Sequence, residues 1–154
     1  MTTSTDGAAL YEAGDAWLAD CSVHPDLVRR AWDAEALAPT SSGEHWLVAE
    51  SHLANGLPAV VRIREEQCGP IVADGVAGKA WWLVPTTAAE ALADVRQFVV
   101  RPACWVLRCP PAGVFAENRF WLWRPDGSGR LTDPTLPAAA LGPGGECRLS
   151  EETT

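Results

Sequence analysis

Lysine is nearly missing from this sequence. Lys79 is the single one beside eleven arginines, and methionine and tyrosine (Tyr11) also occur once each. Histidine is confined to His24, His45 and His52, all near element starts or in loops, where solvation is the ordinary fate of an imidazole. No stretch approaches 18 uninterrupted apolar residues, which excludes a membrane-spanning helix. The first ten residues, MTTSTDGAAL, lack the basic and apolar regions of a secretory signal, so a cytoplasmic protein is expected. Several chemistries lack their motifs. There is no GxxxxGK[ST] for a phosphate loop, no GxGxxG for a dinucleotide, no HExxH for zinc and no GxSxG for a serine nucleophile.

The five cysteines, Cys21, Cys68, Cys104, Cys109 and Cys147, are odd in number, irregularly spaced and without a CxxC. They read as reduced thiols filling core space, and no metal site is expected. Positive charge is also short: twelve basic residues face twenty acidic ones, a net charge of −8. Extended nucleic acid, whose binding depends on neutralising phosphates, is therefore a disfavoured partner.

What is present suits one globular domain. The chain has 154 residues, 47% of them hydrophobic and 21% charged, enough to bury a core without staples. Residues 1–7 read as a frayed N-terminus, 8–141 as a single domain and 142–154 as a loose acidic tail. Helices are expected over 8–21 and 25–37, the second opening on Pro25 with Asp26 in its first turn. Pro39 through Gly43 reads as a chain break. Strands are expected at 46–50, 59–64, 70–73, 80–84, 103–108 and 119–124, each rich in Val or Trp and bounded by turn residues. Short helical segments are expected at 51–56, 87–95 and 134–141. Two helices followed by strands favour an α+β fold with a mostly antiparallel or mixed sheet of five to six strands.

Eight tryptophans remain to be placed. They serve either as core bulk or as the lining of a ligand pocket. Trp81 and Trp82 are adjacent and must point to opposite faces, so their strand is covered twice. On 119–124, strict alternation puts Trp121 and Trp123 on one face with Arg119 and makes both faces apolar, which predicts a central strand. Arg62 and Arg64 share a face of 59–64. Arg108 ends the strand 103–108, and Glu50 ends 46–50. If these strands are neighbours, one sheet face gathers Glu50 with several guanidinium groups, a setting for phosphate or carboxylate. Alternatively the arginines reach water at strand ends and pair with local acids such as Glu65 and Glu66.

Three stretches resemble the N-terminal domain of the bifunctional DNA primase/polymerase family, and in particular its short stand-alone relatives from high-GC bacteria. They are Gly69–Gly75 with Gly78–Pro85, then Cys104–Gly113, then Arg119–Gly129 running on to Asp133, in an order that fits over residues 43–141. The resemblance implies a primase–polymerase core related to the RRM-like arrangement. Active members perform metal-dependent nucleotidyl transfer and need a D-x-D or D-x-E pair on a strand, a later histidine for the incoming nucleotide and a further acid, because two divalent cations must be held near the phosphates. The carboxylate strand aligns with residues 59–64, where Arg62 and Arg64 stand in place of acids. The histidine segment aligns with 78–85, which carries Trp81 and Trp82 and no histidine.

The expectation is a degenerate, catalytically inactive relative that binds a nucleotide, another phosphorylated small molecule or a partner protein, without a cofactor. The candidate ligand residues are Arg62, Arg64, Arg108, Glu50, Trp81, Trp82 and Trp123. Two alternatives stay open. One is an active metal-dependent primase/polymerase using Glu50, Glu65 or Glu66. The other is an accessory or regulatory interaction module, or a homodimer, using a Trp-rich surface.

Overall fold

The computed structural model describes residues 2–63, 68–113 and 115–134. Two helices open the chain, α1 (Thr2–Asp20) and α2 (Pro25–Asp33). The proline at the start of α2 lacks an N–H that would have no helical partner there, and Asp26 and Arg30 lie at the ends that suit their charges. The helix stops four residues short of the expected 37. Glu35 adopts φ 57°, and the amides of Glu35 and Ala36 bond back to the carbonyls of Trp32 and Ala31. That is a Schellman closure with glutamate in the place glycine usually takes.

Seven strands and two further helices follow: β1 (Ala38–Ser41), β2 (Leu47–His52), α3 (Leu53–Arg62), β3 (Ile71–Asp74), β4 (Lys79–Val84), α4 (Ala88–Ala91), β5 (Val99–Val100), β6 (Val106–Cys109) and β7 (Arg119–Trp123). Five strands form one sheet in the order β5-β2-β4-β3-β7, and β1 pairs with β6 in a second. Every pairing is antiparallel. The fold is α+β, as the element order implies. No helix among the described residues is long and apolar enough to cross a membrane.

The large sheet is buried on both sides. Against its first face, α1, α2 and the β1/β6 pair close a core of Leu18, Val28, Trp32, Trp46, Val48, Trp81, Leu83, Leu107 and Trp121. Against the second face, α3 and the segment around α4 cover Ile71, Ala80, Trp82, Val84, Leu92 and Phe98. Trp81 and Trp82 thus divide between two cores, as adjacency requires. Three of the buried indoles have their N–H groups satisfied, whereas Trp46 Nε1 is buried without a hydrogen-bond partner. Trp82 donates to Ser51 Oγ at 3.1 Å, Trp32 to the Cys109 carbonyl at 3.0 Å and Trp121 to the Pro110 carbonyl at 2.9 Å.

Four expectations are corrected. Of the strand expected over 59–64, residues 59–62 are helical instead: α3 runs through Arg62, and residues 64–67 lie outside the described part. The helical period is visible when the window starts earlier. Leu53, Gly56, Ala59, Val60 and Ile63 recur at helical spacing and face the sheet. The small pair Gly56 and Ala59 lets the helix sit close, since a Cβ on Gly56 would lie 3.3 Å from Ser51 Oγ and 3.4 Å from Ala80 Cβ. The β-branched run and Pro58 obscured this pattern.

Second, the expected chain break contains β1. Pro39 is exposed on this short strand, where a missing N–H is tolerated, and Thr40 Oγ1 donates to the Leu107 carbonyl at 2.8 Å. Third, β7 is an edge strand, not a central one. Its two apolar faces arise because both covering layers extend over it. Fourth, Trp121 and Trp123 do not share a face. Val72 pairs with Trp121 but its neighbour Ile71 pairs with Trp123, so Leu122 is an extra residue, a β-bulge. The bulge sends Trp121 into the first core and Trp123 against the second. The helix expected over 134–141 lies, apart from Pro134, outside the described residues, as does the tail.

Candidate functional site

The register of the large sheet collects charge at one end of its first face. Glu50 on β2 pairs with Trp81 on β4, Lys79 pairs with Asp74 on β3, and Asp74 pairs with Arg119 on β7. Side chains two apart share a face, so Glu50, Lys79, Trp81, Asp74 and Arg119 all point the same way. Arg101, just after β5, is held beside them by its amide bond to the Val48 carbonyl at 2.8 Å.

Glu50 is the hub of one half. Its Oε1 accepts the Trp81 indole N–H at 2.9 Å and its Oε2 accepts Arg101 Nη2 at 2.8 Å, with Lys79 Nζ 3.8 Å away. Burial pushes this carboxyl upward, but the hydrogen bonds from Trp81 and Arg101 and the charges of Arg101 and Lys79 outweigh it, so the group sits below the ordinary glutamate value. Arg101 also lies over the ring of Trp105, 5.4 Å from its centroid.

Asp74 is the hub of the other half and also organises the β3–β4 turn. Its Oδ1 accepts the amides of Val76 and Ala77 at 2.9 and 2.8 Å, and its Oδ2 accepts Arg119 Nε at 3.3 Å. Here too burial raises the carboxyl, and the turn amides and Arg119 bring it below its usual range. Gly78 closes the turn at φ 67°, a conformation that favours glycine. The Arg119 guanidinium lies 4.3 Å from the Trp81 ring centroid, and its Nη1 donates to the Arg108 carbonyl at 2.7 Å. The Trp81 indole is thus fixed twice, at its N–H by Glu50 and on its face by Arg119.

The arrangement is layered. The Glu50 and Asp74 side chains keep 11% and 12% of their surface exposed, whereas Lys79 and Arg101 keep 33% and 35%. Arg119 lies between, at 19%, and Arg108 beside it is exposed. Acids are inside and cations outside, so this end of an acidic protein presents positive charge to solvent.

Of the residues singled out from the sequence, Glu50 and Trp81 meet here. Trp82 is fully buried on the opposite face. Arg62 ends α3, on the far side of the sheet from Glu50, and Arg64 lies outside the described residues. Arg108 belongs to the second sheet; its backbone joins the site through Arg119, but it shares no face with Arg62. Trp123 instead borders, with Tyr11, Trp121 and the segment 122–126, a separate cavity of about 310 Å³. Arg62 and Arg108 do not converge as expected, because residues 59–62 are helical and β6 is not in the large sheet.

Sequence reasoning missed Arg101, Lys79 and Asp74 as partners of Glu50 and Trp81. Asp74-Gly75 carried a turn signal that could have flagged the aspartate. Nothing local flags Arg101, whose neighbour Glu50 is 51 residues away. Among the described residues no group of three or more His, Cys, Asp or Glu side chains gathers as a metal site would require. The buried thiols are unreactive in character: burial pushes Cys68 up to about 11 and Cys109 up to about 12. No family model, curated protein or solved structure matches this chain.

Proposed function

We propose that this chain is a non-catalytic binding module on a primase–polymerase-like scaffold, and that it recognises a nucleotide or another phosphorylated small molecule at the charged end of the large sheet. The observation that carries this reading is the layering just described. Glu50 and Asp74, the carboxylates on this face, are committed to donors and cations of the chain itself. Two-metal nucleotidyl transfer would need such acids turned toward the ligand, whereas here guanidinium and ammonium groups lie outermost. Arginine and lysine in that position suit an oxyanion.

The grounds differ from those the sequence suggested. Arg62 does not replace an acid on a sheet strand, since the segment aligned with that strand is helical through Arg62, and Arg64 lies outside the described residues. The three stretches that resemble the family supply β3 and β4, β6, and β7, and an α+β core with an antiparallel sheet is compatible with the resemblance.

The test is thermal unfolding with ATP, GTP and a short oligonucleotide, beside a primer-extension assay with Mg²⁺ and with Mn²⁺. A ligand present at 100 times its dissociation constant adds about 2.7 kcal/mol of stability, a rise on the order of 5–10 °C for a domain this size. The expected result is a rise with a mononucleotide and no incorporation with either metal. Metal-dependent incorporation would overturn the non-catalytic part, and absence of any shift would overturn the binding part.

A further inference from the structure

We infer that Glu50 is the resident counter-anion of this site, and that the incoming ligand group is a phosphomonoester that takes Arg101 and Lys79 over from it. The inference rests on the anion-binding reading above and adds the ligand class and the side chain that balances the cations before the ligand arrives.

Glu50 grips its two cations unequally and incompletely. Arg101 gives it one hydrogen bond, from Nη2, while Arg101 Nε is buried without a hydrogen-bond partner. An unpaired buried donor is costly, so a guanidinium turned to present its Nε edge to a second oxyanion is relieved of that cost. Lys79 Nζ, at 3.8 Å, is within ion-pair range of Glu50 but too far for a good hydrogen bond, so its donors can be redirected without breaking one. Glu50 itself is anchored independently by the Trp81 indole on its other oxygen. It therefore stays in place when Arg101 turns outward.

The charge of the ligand follows. Two cations less one carboxylate leave a positive site, in which a dianion gains twice what a monoanion gains. A terminal phosphate carries close to two charges at neutral pH, as phosphorylated side chains do, whereas a phosphodiester carries one. The site thus selects a phosphomonoester over a nucleic-acid backbone, in keeping with a chain whose net charge is −8.

The experiment is titration calorimetry of the full chain with adenosine 5′-monophosphate and with cyclic 3′,5′-adenosine monophosphate, which share base and sugar and differ in phosphate charge. The wild type is expected to prefer the monoester. Glu50→Gln keeps an acceptor for Trp81 and removes the competing charge, so it should tighten the monoester about 10-fold and the cyclic diester about 3-fold. Arg101→Gln should weaken the monoester at least tenfold. Should leaving Glu50 unpaired unfold that variant, Glu50→Gln/Arg101→Gln provides the same comparison against Glu50→Gln. Monoester binding that Glu50→Gln leaves unchanged or weakens would overturn this inference while sparing the anion-binding reading. No binding of either compound by wild type and Glu50→Gln would remove this inference, and the anion-binding reading falls with it if ATP and GTP also leave the melting temperature unchanged.

Discussion

Arg119→Met tests whether the charged end of the sheet is a cooperating structure or a set of incidental contacts. Arg119 makes three contacts at once, to Asp74, to the Trp81 ring and to the Arg108 carbonyl. The ion-paired hydrogen bond joins two mostly shielded side chains, 19% and 12% exposed, and contributes about 1–2 kcal/mol. The ring contact at 4.3 Å adds about 0.5–2 kcal/mol and the carbonyl bond about 1 kcal/mol. Methionine keeps an apolar stem against Trp81, which recovers part of this, so the expected net loss is about 2–3 kcal/mol. Urea unfolding followed by far-UV circular dichroism measures it. Arg119→Lys keeps the charge but not the planar fork, and should lose about half as much.

The pH profile supplies a second check on the same variant. The Asp74 carboxyl is held below its ordinary value in the fold, with Arg119 among the causes. A depressed folded value means stabilisation that is fully present above the unfolded value, near 3.9, and is lost as pH falls through the folded one. The stability gap between wild type and Arg119→Met should therefore be steady from about pH 5 to 8 and narrow below about pH 4, as Asp74 protonates. A variant within 0.5 kcal/mol of wild type at pH 7, or a gap as wide at pH 2 as at pH 7, refutes the reasoning.

Two backbone predictions stand apart from the site. Glu35 is exposed and sits in the left-handed region at φ 57°, so Glu35→Gly should stabilise the protein by about 0.5–1 kcal/mol, seen as a small rise in melting temperature. Gly69→Ala should cost about 2 kcal/mol or more in chemical denaturation, because the added Cβ would meet backbone, the Thr132 amide at 2.5 Å and Leu131 Cα at 2.6 Å, and neither can swing away.

The limits of sequence reading show in α3. The β-branched Val60 and Val61, with Ile63 just past the helix end, look like a strand in isolation, and their helical phase appears only when Leu53 and Gly56 enter the window. What places them in a helix is the close packing of Gly56 and Ala59 on Ala80 and Trp82, a tertiary fact. Trp121 and Trp123 fail for a related reason. Period-two reasoning assumes an unbroken ladder, and one extra residue on β7 inverts every later side chain.

The letters alone determined the local things: two opening helices, most of the strands, an α+β class, and the division of Trp81 and Trp82 between opposite faces. These follow from periodicity and chain direction within a few residues. Only the tertiary structure decided which charges meet. Glu50 finds Arg101 and Trp81, and Asp74 finds Arg119, through strand pairings between residues 31 to 51 positions apart. Arg62 is carried to the far side by a helix. Electrostatics depends on distance in space, and local sequence pattern does not record that distance.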